Sequence, residues 1–130
     1  MSYSHAAAAY RTREVQTATP GRLVVLVYDH IVAQLVRASL AQKAGKIEER
    51  VTALAKARAG LFELMATIDV EQGGDVARNL KNLYGFFLVE IQEFARRPEI
   101  DRLARVAAMV TELRDAFATI AADAARVSAA

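Results

Sequence analysis

Histidine occurs only at His5 and His30 in this 130-residue chain, and these are the first side chains to test for chemistry. A di-metal carboxylate centre in a helical protein needs inward-facing glutamates and two Glu-x-x-His steps, so that carboxylate and imidazole share one helix face. Ser2 and Val27 stand three residues before the two histidines, so neither step exists. His30 follows Asp29, a pairing that suits acid–base transfer. Neighbouring residues on a helix point about 100° apart, however, and the two read better as polar groups on a helix surface. Cysteine is absent, which removes disulfides, thiolate zinc sites, iron–sulfur clusters and thiol nucleophiles together and fits a reducing compartment. Of the four serines, Ser2, Ser4 and Ser128 lie near the ends and only Ser39 is internal. The glycine pair Gly73-Gly74 lacks the Lys and Ser/Thr of a phosphate-binding loop. The sequence therefore predicts no catalytic, cofactor-binding or metal-binding residue, no cofactor, and no enzymatic activity.

What remains is apolar, and it must be carried on helices. Hydrophobic residues make up 54% of the chain, with two prolines and six glycines to interrupt them. A chain of this size forms one domain and buries about two thirds of its exposable surface. Thr19 can cap a helix whose first residue is Pro20, and Leu23, Val27, Ile31 and Leu35 then recur at helical spacing until Gly45. Ile47, Val51, Leu54, Leu61, Met65 and Ile68 mark a second helix, closing on Gly73-Gly74 as a tight corner. Asp75 opens a third, whose seam Val76, Leu80, Leu83, Phe87, Ile91 and Phe94 alternates steps of four and three and wants a partner helix. After Pro98 a fourth carries Leu103, Val106, Val110, Leu113, Phe117 and Ile120, with an alanine-rich tail expected to fray. The expected fold is all-α, an antiparallel up-down four-helix bundle with helices at about 20–44, 46–70, 75–96 and 99–125. It forms one domain over 19–130, preceded by an N-terminal arm or short helix over 1–18 that bears Tyr3 and Tyr10.

Charge and hydropathy exclude further classes. Residues 1–22 hold Arg11, Arg13 and Arg22 against Glu14, which leaves 14 basic and 14 acidic residues in the rest. A body of mixed sign does not offer the one-sided basic face of a nucleic-acid binder. The longest apolar run, 23–28, falls far short of the ~18 residues of a membrane span, and no secretory signal opens the chain. No membrane insertion and a cytoplasmic location are expected. Apolar surface is in excess, though: Tyr84 and Leu88 form a second stripe beside the third helix's seam, and Phe86 lies next to Phe87. So wide an arc is either central in a core or offers a groove to a partner.

Several short motifs, in order along the whole chain, resemble the flagellar secretion chaperones of the FliS family. They are Ala9-Tyr10; Val15, Thr17, Ala18 and Pro20; Val27-Tyr28-Asp29; Leu64-Met65 with Asp69; Gly73-Gly74 leading to Asn79-Leu80 and Leu83-Tyr84; and 112–115, Glu-Leu-Arg-Asp. Departures are His30 where a glycine is usual, Phe86-Phe87 in place of a Tyr-Met pair, and Phe117 where a Trp is common. The resemblance implies a non-enzymatic cytoplasmic chaperone. It would bind the C-terminal region of flagellin, prevent early polymerisation and deliver the cargo to components of the export gate. Together with the wide stripe it points to Leu80, Leu83, Tyr84, Phe87 and Leu88 as flagellin contacts, with Tyr28 and Tyr10 added. Tyr10, helped by Tyr3, is expected to plug the groove until flagellin displaces it. The alternative is a self-associating adaptor or regulatory bundle, in which the second stripe is a homodimer surface.

Overall fold

The computed structural model describes residues 19–129, and side chains as far as 127. The arm with Tyr3 and Tyr10 lies outside the described residues. Four helices follow: α1 (Pro20–Lys43), α2 (Ile47–Thr67), α3 (Val70–Arg96) and α4 (Ile100–Ala129). The Thr19 hydroxyl accepts from the Arg22 amide at 3.3 Å and Pro20 fills the first helical position, so α1 begins where its cap dictates. It ends as efficiently. Gly45 takes φ +70°, its amide donates to the Gln42 carbonyl and the Lys46 amide to that of Ala41, which closes the last turn in a Schellman motif.

The corner between α2 and α3 is not at Gly73-Gly74. It falls at Ile68 and Asp69, where the Asp69 carboxylate accepts from the Gln72 amide at 3.1 Å and starts α3. Residues 70–73 make one turn, Gly74 breaks it at φ 57° and ψ −133°, and the long part of the helix runs from Asp75. The glycine pair is thus a kink within an element rather than a link between two. At the other end α4 stays helical through the alanine-rich tail to Ala129.

The helices form a ring in which each packs on its neighbours in sequence and α4 closes on α1. Ion pairs and close contacts set the antiparallel register: Ile31 meets Gly60, Gln42 meets Arg50, Asp29 meets Arg114 and Glu90 meets Arg102. The core joins Tyr28, Ile31 and Leu35 of α1, Leu54 and Leu61 of α2, Phe87, Ile91 and Phe94 of α3, and Leu103, Val106 and Val110 of α4. α1 lies closest to its neighbours, because the interfaces there are made of small residues such as Ala53, Ala57 and Gly60 on α2 and Ala121 on α4. α3 stands further off, held by the larger Tyr84, Phe87 and Phe94. By length and composition α1 is apolar enough to cross a membrane, which the short run at 23–28 does not reveal. In the fold its apolar face is the centre of the bundle.

Candidate functional site

Among the described residues, several that carry the motifs come together at one level of the bundle. Tyr28 on α1 and Tyr84 on α3 are buried, and their hydroxyls are hydrogen-bonded to each other across the core. Phe117 of α4 lies against Tyr28 with ring centroids 5.5 Å apart. One residue along, the Arg114 guanidinium donates to the Asp29 carboxylate at 2.8 Å and ties α4 to α1. Burial pushes the Tyr28 phenol well above its ordinary range, and burial raises Tyr84 as well. Both hydroxyls stay neutral and serve as a polar tie inside an apolar centre. Phe87 is likewise fully buried. In this closed bundle Tyr28, Tyr84 and Phe87 are interior groups, and a partner on the surface meets them only through the side chains above them.

Leu80, Leu83 and Leu88 are different, since each is half-buried and packs against the core from the rim. Leu83 and Leu88 fall on opposite flanks of α3, so the seven residues expected to form one contact surface do not share one face. Tyr10 lies outside the described residues. A further apolar group stands on the α4 side of α3: Phe86, 45% exposed, with its ring 6.0 Å from that of Phe87. Phe86 opens a groove of about 220 Å³ between α3 and α4, lined also by Val106 and Met109. Glu90 and Arg102 meet at 2.9 Å on its lip, and the buried Nε of Arg102 has no hydrogen-bond partner there. Sequence reasoning noticed Phe86 beside Phe87 but missed Met109 and the Arg102–Glu90 pair, because their meeting depends on the register of α3 against α4. Opposite charges twelve residues apart across a predicted helix turn were the available signal.

Among the described residues, no three His, Asp or Glu side chains stand close enough together to hold a metal ion. The described surface carries an apolar groove with a polar rim between α3 and α4.

A model of the family described as flagellar protein FliS matches residues 3–124. The chain is 25% identical to the flagellar secretion chaperone FliS of Vibrio cholerae over 104 residues, covering 80% of this chain and 76% of that protein. The FliS chaperone of Salmonella typhimurium is 28% identical over 107 residues, 82% of this chain and 79% of its own. That of Campylobacter jejuni reaches 34% identity over a shorter stretch of 76 residues, 58% and 59% of the two chains. These relatives are chaperones and not enzymes, in keeping with a surface of grooves and a buried tyrosine pair. With the family model spanning nearly all of its length, the chain belongs to the flagellar protein FliS family.

Proposed function

We propose that this chaperone binds the C-terminal segment of flagellin in the cytoplasm, keeps it from polymerising early and hands it to the export gate. The observation that supports the reading best is the apolar surface left open along α3, with Phe86 at 45% exposure above a groove. A disordered cargo segment that folds as an amphipathic helix can lay its apolar face in such a groove, wrap a large area and still be released. Leu80 and Leu83 are the proposed contacts beside Phe86 and Leu88 a contact on the opposite flank of α3, with Tyr28, Tyr84 and Phe87 forming the floor that holds them in place. Tyr10 keeps the part of the displaceable plug.

Calorimetric titration with a flagellin C-terminal peptide tests the reading. Phe86→Ala should weaken binding by about tenfold or more, as for a central contact, while the melting temperature stays within a degree or two. Failure of the unaltered protein to bind the peptide overturns the proposal. Concentration-dependent dimerisation through the same face, with no peptide binding, would favour the self-associating bundle instead.

A further inference from the structure

Gln34 is a polar residue in a position that apolar residues hold elsewhere. It is 5% exposed on α1, and among the described residues its carboxamide has no hydrogen-bond partner. Its polar end still reaches solvent through the groove it lines, so the carboxamide can bind a ligand there. The amide lines a cavity of about 580 Å³ between α1 and α2, on the flank of the bundle away from α3. Ala41 and Ala53 line it too, and their small side chains let another chain approach closely.

The charges around this groove are arranged to receive an anion. Antiparallel pairing of Ile31 with Gly60 and of Gln42 with Arg50 places Arg37 of α1 nearly opposite Lys56 of α2, beside Gln34. Neither cation has an ion-pair partner among the described residues, and like charges facing across a groove repel until an anion comes between them. Two carboxylates, Glu48 and Glu49, line the other end of the groove. Glu49 lies 3.9 Å from Lys46, and both Glu48 and Glu49 sit in the first turn of α2, where they complement the helix dipole. Thr52 adds a hydroxyl on the α2 side.

We propose that this α1–α2 groove is a docking site for an acidic peptide segment of a partner protein, whose Asp or Glu carboxylate accepts from the buried Gln34 amide between Arg37 and Lys56. The amide supplies a neutral donor at the base, the two cations supply attraction at the rim, and the alanines admit the peptide backbone. The site lies apart from α3 and does not rest on the flagellin reading.

Full-length protein labelled with ¹⁵N gives a direct readout, because a Gln side chain carries its own NH₂ signals. Three probes suffice: a capped alanine hexapeptide with two glutamates, its counterpart with two glutamines, and inorganic phosphate. The glutamate peptide should shift the Gln34 NH₂ pair saturably, with at least fivefold higher affinity than the glutamine peptide. Arg37→Gln with Lys56→Gln, both at exposed positions, should abolish that shift while leaving the rest of the spectrum in place. Gln34→Leu should abolish the peptide-induced shifts of the Arg37 and Lys56 amides without lowering the melting temperature. No shift, an equal response to the glutamine peptide or to phosphate, or a response that survives the double substitution each overturns the proposal. So does a Gln34→Leu protein of reduced melting temperature that still binds, since the amide would then belong to the fold alone.

Discussion

Tyr28 and Tyr84 hold two hydroxyls in the driest part of the molecule, and each removes the cost of burying the other. Tyr84→Phe leaves the Tyr28 hydroxyl unpartnered and should cost about 1–3 kcal/mol in urea unfolding, whereas Tyr28→Phe with Tyr84→Phe should be nearly neutral. A double variant as unstable as the single one would show that the hydroxyls matter through some other contact. The pair also couples stability to alkaline pH. Unfolded tyrosines ionise near 10, while both folded phenols are raised above that value by burial. The favourable contribution is complete below pH 10 and falls as pH rises above it, because the unfolded chain then loses protons that the folded one keeps. Comparing urea midpoints at pH 8 and pH 11 should show a smaller alkaline loss in the double Phe variant than in the unaltered protein. The sequence made both tyrosines visible as helical-stripe residues with motif neighbours, yet a stripe gives the direction of a side chain and not its depth. Depth is decided by what stands opposite, here Phe117 on α4 and the partner tyrosine itself.

The helices were legible because their ends are written locally. Thr19 with Pro20 and Gly45 supply complete caps, and the structure uses both. The start of α3 was misplaced for a reason equally local: Asp69 and Gln72 spell an N-cap three residues apart, and Gly73-Gly74 outweighed them as a turn signal. Glycine meets two separate constraints along these elements and none at a third position, and substitution by alanine tells the three apart. Gly74 sits at φ 57° and ψ −133°, a region nearly closed to other residues, so Gly74→Ala should cost about 1–3 kcal/mol. Gly60 lets α1 and α2 meet, since a Cβ there would lie 2.7 Å from Cγ1 of Ile31, and Gly60→Ala should cost a similar ~1–3 kcal/mol through overpacking. Gly85 has neither constraint, with nothing within 4 Å of an added Cβ and no positive φ. Gly85→Ala should therefore stabilise the protein by about 0.5–1 kcal/mol, the ordinary helix penalty of glycine recovered. Chemical denaturation of the three variants checks the order; destabilisation at Gly85 would mean that α3 needs that position bare.

At the scale of the whole molecule the bundle is asymmetric, and the asymmetry was not readable from any one helix. Apolar periodicity predicts four similar seams, but the distance between two helices depends on the sizes of both facing sets. Glycine and alanine draw α1 against α2 and α4, while Tyr84, Phe87 and Phe94 hold α3 away. The half-buried leucines of α3 and the Phe86 groove follow from that spacing, as does the surplus apolar surface that the composition anticipated. Local opening is easiest where close packing is least, and a binding face drawn from the less tightly packed part of a fold can adjust to its partner. Amide hydrogen exchange followed by mass spectrometry should therefore show slowest exchange in the middle of α1, around Ile31, Leu35 and Ala38. It should be faster along α3 and fastest in the 70–73 turn ahead of the Gly74 break. Saturating flagellin peptide should raise protection in α3 by a larger factor than in α1, because ordering the cargo in the groove also orders the helix that forms it. Equal protection of all four helices in the free protein, or a gain confined to α1 and α2 on adding the peptide, would remove α3 as the receiving element.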